Sequence, residues 1–261
     1  MQLRFWRLVT QLTNGDSSSA PNLVVLCAGM IRSGSRWSYN FVIDLLRGAG
    51  LPVIEGGYSE SFADWVTGLP ASAAGVIKCH LFDQDTIRAL QSSGRATRCL
   101  FTYRGAGAAI ASAIRAFALE FEPQAGAIAQ ALHTYEKARE AWDTLALNCE
   151  RLDDSSTAAA VARFLGVPSP DHELESIHRR HRRSATARRL SSIDWNAKDA
   201  IYRDARYTFH RESLLHRTHS RQKPRRASDT ICRPSELGFS MTWLRRTKPR
   251  DLLLAKISTR T

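Results

Sequence analysis

The sequence predicts an α/β fold of three layers, in which helices cover both faces of a central parallel sheet that carries a phosphate-binding loop. Short apolar segments typical of buried strands alternate with longer segments that have helical periodicity. A Gly/Ser loop joins the first apolar segment to the first helix, which is a common anion-binding arrangement. Strands that alternate with helices in this way form parallel sheets with right-handed crossovers.

Apolar and β-branched residues define the predicted strands, and apolar residues at helical spacing define the helices. The predicted strands are Leu23 to Ala28, Leu51 to Ile54, Gly75 to Lys78 and Cys99 to Tyr103. The predicted helices cover residues 36–48, 83–91, 105–121, 124–142 and 157–165. Beyond Pro170 the periodic signal weakens, so the sequence predicts no further elements there.

Charge divides the chain of 261 residues, of which 43% are hydrophobic, enough for one buried core. Much of the net charge of +12 lies in residues 221–261, which hold 11 Lys and Arg against 3 Asp and Glu. We therefore predict a lead-in over residues 1–20, one α/β domain over 21–220 and a poorly ordered basic tail over 221–261. The alternative for the basic segments is a cap over a polyanionic ligand.

The cysteine pattern and the hydropathy of the sequence indicate the cellular compartment of the protein. The five cysteines form no C-x-x-C pair, and three of them lie in or beside predicted buried strands. This pattern argues against a disulfide framework or a zinc site and fits a reducing compartment. No apolar run approaches the length of a bilayer span. The expectation is a cytoplasmic protein with no membrane partner.

The loop from Gly29 to Trp37 follows the first predicted strand and precedes a helix. In the ATP and GTP pattern G-x-x-x-x-G-K-[ST], the Lys reaches the outer phosphates and the hydroxyl holds magnesium. When the chain is aligned on Gly29 and Gly34, Ser35 takes the place of that Lys and Arg36 the place of the hydroxyl. The loop therefore predicts a phosphate-like ligand that binds without a metal.

Two further motifs lie at predicted strand ends. Lys78 and His80 close the third strand, and strand alternation points both side chains to the same side. This places a potential base beside a cation. Arg104 ends the fourth strand, and Ser112 follows eight positions later in the next helix. Such a pair can hold one anion between a guanidinium fork and a hydroxyl.

Together, and in this order, the three motifs resemble the P-loop sulfotransferases that use 3′-phosphoadenosine 5′-phosphosulfate (PAPS), the bacterial-type members included. The family pattern is a [K/R]-x-G-[S/T]-x-W loop, K-x-H at a strand end, and Y-R with a Ser eight residues after the Arg. The chain supplies the loop from Arg32 to Trp37, then Lys78-Cys79-His80, then Tyr103-Arg104 with Ser112. The resemblance covers about residues 22–167 and implies a three-layer, P-loop kinase-like fold.

The resemblance also implies roles for these residues and 3′,5′-adenosine bisphosphate (PAP) as the product. His80 would be the general base, Lys78 would support the transferring sulfuryl group, and Arg32 would bear on the leaving-group oxygens. Arg104 and Ser112 would bind the 3′-phosphate, and no metal would be required. In full, the implied cofactor-binding residues are Arg32, Ser33, Gly34, Ser35, Arg36, Trp37, Arg104 and Ser112.

Two other functions stay open at this stage. A P-loop kinase would share the fold, although the Lys and hydroxyl of its magnesium site are missing. A non-catalytic nucleotide-binding or nucleic-acid-binding protein would account for the basic segments, but few aromatic residues interleave with the Arg runs, so we do not expect nucleic acid as the partner. The expected acceptor is a small molecule or a carbohydrate in a pocket shaped by residues 55–70 and by residues after Phe121. The sequence predicts no oligomeric state.

Overall fold

The computed structural model describes residues 22–117, 120–203 and 208–216, so the predicted lead-in and basic tail lie outside the described residues. Five parallel strands form the central sheet in the order β2-β3-β1-β4-β5. They are β1 (Leu23–Gly29), β2 (Val53–Tyr58), β3 (Ala74–Lys78), β4 (Ala96–Tyr103) and β5 (Asp143–Asn148).

Helices cover both faces of this sheet, and each face has its own cluster of buried apolar side chains. One face is covered by α1 (Ser35–Gly48), α6 (Ser155–Leu165) and α7 (Asp171–His181). The other is covered by α2 (Ala63–Thr67), α3 (Gln84–Ser92), α4 (Ala106–Phe117) and α5 (Phe121–Ala141). The predicted three-layer α/β architecture is confirmed.

Shorter elements complete the described chain. A single 3-10 turn, Cys149–Arg151, follows β5, and helix α8 (Arg183–Ser192) follows α7. A separate antiparallel hairpin pairs β6 (Ile201–Arg203) with β7 (Thr208–His210). Among the described residues, no helix is both long enough and apolar enough to cross a bilayer.

The structure corrects predicted boundaries and adds elements, among them α7, α8 and the β6–β7 hairpin beyond Pro170, where the sequence predicted none. The predicted helix over 105–121 was wrong at its end, because Glu120 is extended and a separate helix begins at Phe121. Pro123 in the first turn explains the new start, since proline is tolerated there and breaks hydrogen bonds further inside. Strand β5, which the sequence analysis did not predict, pairs with β4 from Arg98 to Tyr103.

The strand order places the three motifs at one edge of the sheet. Strand β1 lies between β3 and β4, and its register aligns Cys27 with Lys78 and Gly29 with Thr102. The carboxyl ends of three neighbouring strands therefore meet beside the start of α1. Ligands of open parallel sheets bind at such a crevice.

Candidate active site

The loop between β1 and α1 packs too closely against its neighbours to leave room for side chains at two positions. A Cβ atom on Gly29 would lie 2.1 Å from Oγ1 of Thr102. Gly34 has a φ of 97° in the left-handed region, and a Cβ atom there would lie 2.5 Å from Cδ1 of Leu152. Arg32 also has a positive φ, 63°. The backbone of the loop is thus held in a tight turn that presents the start of a helix to the crevice.

Ser33 fastens this loop to the sheet. Its fully buried Oγ lies 2.6 Å from the carbonyl oxygen of Met30, 2.7 Å from that of Thr102 and 2.9 Å from Oγ1 of Thr102. Its own N–H donates to the carbonyl of Met30. The hydroxyl and amide of Ser33 are therefore engaged inside the protein. The N–H groups at the start of α1, such as that of Ser35, have no acceptor within the helix and are therefore the groups of this loop that could bind an anion.

Arg32, Arg104 and Ser112 form a second part of the site. Arg32 Nε donates to Ser112 Oγ at 3.1 Å, and its guanidinium lies over the ring of Phe117, 5.4 Å from the ring centre. Arg104 makes a long contact of 3.5 Å with the carbonyl oxygen of Arg32. The Nε atom of Arg104 is buried and has no hydrogen-bond partner among the described residues. The structure thus adds Arg32 to the pair predicted for one anion.

Lys78 and His80 form the third part. Nδ1 of His80 lies 2.6 Å from the carbonyl oxygen of Gly29, so Nδ1 carries the proton and Nε2 holds a lone pair. Nζ of Lys78 donates to that Nε2 atom at 3.2 Å. Burial, then Lys78, lowers the pKa of His80 to about 3. The imidazole is therefore neutral at physiological pH, with its lone pair engaged by an ammonium group.

Burial, and then a neighbouring cation, lowers the pKa of three cations of the site. Burial, then Arg104, lowers the pKa of Arg32, and burial, then Arg32, lowers the pKa of Arg36 to about 9. Burial, then Arg36, lowers the pKa of Lys78 to about 7. Arg32, Arg36, Lys78 and Arg104 are named below as the cation row. A bound anion would relieve this repulsion and support the charged form of each group.

Comparison with known proteins bears on the fold. No family model and no curated protein matches the sequence. The structure is similar to that of mouse sulfotransferase SULT7A1 complexed with PAP, with a TM-score of 0.51 over 94% of this chain and 84% of that chain, at 12% identity. The chain has the sulfotransferase fold. At this identity the likeness shows the fold alone.

Two weaker likenesses carry no argument. One is to a retinol dehydratase in complex with androsterone and inactive cofactor PAP, with a TM-score of 0.45 over 69% of each chain at 12% identity. The other is to a gluconokinase from Sinorhizobium meliloti 1021, with a TM-score of 0.30 over 68% of this chain and all of that one, at 16% identity.

Trp37, another predicted site residue, makes its contacts mainly within the core of the fold. Its ring stacks on Phe41 with ring centres 4.7 Å apart and planes 6° apart, and its edge approaches His178. Both neighbours lie on helices that cover the same face of the sheet. The Nε1 atom of Trp37 is buried without a hydrogen-bond partner among the described residues. These contacts fix the start of α1 beneath the loop.

Four residues that were not predicted as site residues lie close to the predicted ones. Tyr58 lies over Nζ of Lys78, 4.2 Å from the ring centre, and Glu60 accepts the N–H of His80. The ring of Phe117 lies beneath the guanidinium of Arg32 and also contacts the ring of His216. His216 in turn contributes to the lowered pKa of His80. The segment that holds Tyr58 and Glu60 carried a signal, since residues 55–70 were assigned to the acceptor pocket.

A cavity of about 570 Å³ lies in that same segment, between the end of β2 and helix α2. Its lining includes Ser59, Ser61, Asp64 and Trp65, and none of the predicted catalytic or cofactor-binding residues. Ser59 and Ser61 alternate along the chain with Tyr58 and Glu60, which contact Lys78 and His80. The lining of the cavity and the contacts of Lys78 and His80 therefore involve the same short segment, residues 58–61.

Proposed function

We propose that the protein is a sulfotransferase that moves a sulfuryl group from PAPS to a hydroxyl or amine acceptor. The observation that carries the proposal is the cation row, which runs beside a helix start and ends at a neutral imidazole. The cation row suits a ligand with several negative charges, and the neutral imidazole at its end suits an acceptor that loses a proton. Positive groups aimed at a leaving phosphate stabilise the charge that develops there.

The residues of the site fit the two phosphates of such a cofactor. The unpartnered Nε of Arg104, together with Arg32 and Ser112, would hold the 3′-phosphate. The N–H groups from Gly34 to Arg36 would hold the 5′-phosphate at the positive end of α1. When bound, PAPS supplies the sulfuryl group. No residue at these positions is arranged as the magnesium ligand of a P-loop kinase would be.

His80 would accept the proton of the acceptor at Nε2. The hydrogen bond from Nδ1 to the carbonyl of Gly29 fixes the tautomer that this role needs. Lys78 engages the same Nε2 atom at 3.2 Å, so an anion that draws the ammonium toward itself also exposes the lone pair. Lys78 would then support the transferring group while His80 acts as the base. The acceptor proposed is a small molecule or a carbohydrate, and the cavity between β2 and α2 is the proposed place for part of it.

Calorimetric titration with PAP, ADP and ATP tests the proposal without knowledge of the acceptor. We expect PAP to bind more tightly than ADP and ATP, with the same affinity in the presence and absence of magnesium. The 3′-phosphate contacts of Arg32, Arg104 and Ser112 are the reason for the preference. A preference for magnesium-ATP would favour a kinase. Binding that ignores the 3′-phosphate and falls steeply with salt would favour a non-catalytic polyanion-binding protein.

A further inference from the structure

The carboxylate of Glu60 joins the segment after β2 to the segment after β3. Its Oε1 accepts the backbone N–H of His80 at 3.1 Å, and its Oε2 accepts the backbone N–H of Leu81. A carboxylate that accepts two consecutive N–H groups fixes the backbone at that point, because charge-assisted hydrogen bonds are short and strong. Glu60 therefore determines where the backbone of His80 lies.

The same carboxylate reaches the catalytic pair by a second route. Oε1 of Glu60 also accepts the hydroxyl of Tyr58. The ring of Tyr58 in turn lies 4.2 Å from Nζ of Lys78 and meets the ring of His80 edge to face, with centres 5.7 Å apart. A cation over an aromatic face and an edge-to-face ring pair both depend on ring orientation. Glu60 thus orients the ring that contacts both Lys78 and His80.

We propose that Glu60 is a positioning residue that holds the His80 backbone and the Lys78 ammonium in their working geometry. The inference rests on the proposed function for its catalytic meaning, but the contacts themselves involve no ligand. No chemistry at a reacting atom is assigned to Glu60. Its action on the site passes through Tyr58, through the backbone after β3 and through its charge.

The charge of Glu60 also opposes the cation row at Lys78. The titratable groups that influence or contact Lys78 come from four parts of the chain and are Cys27, Arg36, Tyr58, Glu60, Cys79 and His80. Burial raises the pKa of both thiols, so they are neutral at physiological pH. The ionised neighbours are then Arg36, which lowers the pKa of Lys78, and Glu60, which raises it. Removal of the Glu60 carboxylate would therefore lower the pKa of Lys78 further, because the effect of Arg36 would no longer be offset.

The experiment is a titration of the full chain by lysine-selective ¹³C NMR, with the Lys78 signal assigned through Lys78→Arg. In the wild type we expect a midpoint near pH 7. Glu60→Gln should lower it by about one pH unit, because a nearby opposite charge no longer supports the ammonium. Glu60→Asp should keep the midpoint, since it keeps the charge. Glu140→Gln, on the exposed side of α5, is the matched control and should change nothing.

A second measurement follows the backbone contacts by amide hydrogen exchange. Glu60→Asp shortens the side chain, so the amides of His80 and Leu81 should exchange at least about tenfold faster than in the wild type, equivalent to about 1.4 kcal/mol of lost protection. If Glu60→Gln fails to fold, Glu60→Asp still tests the inference. An unchanged Lys78 midpoint in Glu60→Gln, or unchanged exchange in Glu60→Asp, overturns it. Neither readout needs a nucleotide, so a wild type that ignores PAP would refute the proposed function separately.

Discussion

Lys78→Met should change how the stability of the nucleotide-free protein depends on pH. Lys78 is 8% exposed, and its pKa is lowered from 10.5 to about 7 by burial and then by Arg36. Between these two values the unfolded chain binds more protons than the folded one, so stability rises with pH. At 1.36 kcal/mol per pKa unit, this shift destabilises the fold by roughly 4 kcal/mol at pH 7, and by about 2 kcal/mol at pH 9, where the folded group is a neutral amine.

The variant removes this contribution while it nearly conserves side-chain length. The gain at pH 7 should be smaller than the full 4 kcal/mol, because loss of the ammonium leaves Nε2 of His80 without its donor, at a cost of about 1–3 kcal/mol. The pH dependence is the sharper readout. Between pH 7 and pH 9 the wild type should gain about 2 kcal/mol more stability than Lys78→Met.

Urea denaturation at pH 7 and pH 9 measures this difference as a free energy of unfolding. Other titrating groups contribute equally to both proteins and cancel in the comparison. Lys198→Met provides the matched control, because Lys198 is exposed and lies outside the site, so this variant should keep the pH dependence of the wild type. If Lys78→Met also keeps it, the ammonium of Lys78 is not destabilised in the fold and the reasoning on the cation row fails.

Three further variants test the loop, the cofactor contacts and the base. Gly29→Ala should lower the free energy of unfolding by more than about 2 kcal/mol, measured in urea, because its Cβ would clash with β4. Arg104→Ala should weaken PAP binding about tenfold or more by calorimetry, since it removes a buried guanidinium from the anion site. His80→Ala should abolish transfer of ³⁵S from PAPS to acceptors that the wild type uses, while PAP affinity stays within about threefold.

Matched controls separate these effects from general damage. Gly107→Ala should be tolerated, because a Cβ atom at Gly107 of α4 would meet nothing within 4 Å. Arg163→Ala removes an exposed arginine of α6 and should leave PAP binding as it is. Equal losses of PAP affinity in the two arginine variants would contradict the assigned contact. Full transfer activity in His80→Ala would remove His80 as the base.

The sequence was sufficient to predict how the three motifs come together. Each of them follows a buried apolar segment, and the carboxyl ends of parallel strands meet at one edge. The start of α1 also follows from the local pattern, since the helix was predicted from residue 36 and begins at Ser35. Strand, loop and helix patterns of this kind can be predicted because they depend mainly on residues close together in the sequence.

Contacts between distant parts of the chain could not be predicted in this way. Arg32 donates to Ser112, which is 80 positions away in the sequence. This hydrogen bond depends on the direction of the Arg32 side chain, and Arg32 itself has a left-handed backbone conformation. Strand β5 was missed because its six residues follow directly after the 21-residue helix α5, with no glycine or proline between the two. Glu60 lies in a polar segment where composition gives no sign that its carboxylate would meet the amides of another strand end.

The hydrogen bond between Nδ1 of His80 and the carbonyl oxygen of Gly29 has a kinetic consequence. Gly29 is the last residue of β1 and the first of the loop, so a displacement of the loop carries the imidazole with it. Reactants would then be expected to add in a compulsory order, with the nucleotide first and the acceptor second. Product-inhibition patterns would record this order, since the sulfated product would inhibit noncompetitively against PAPS, whereas PAP would compete with it.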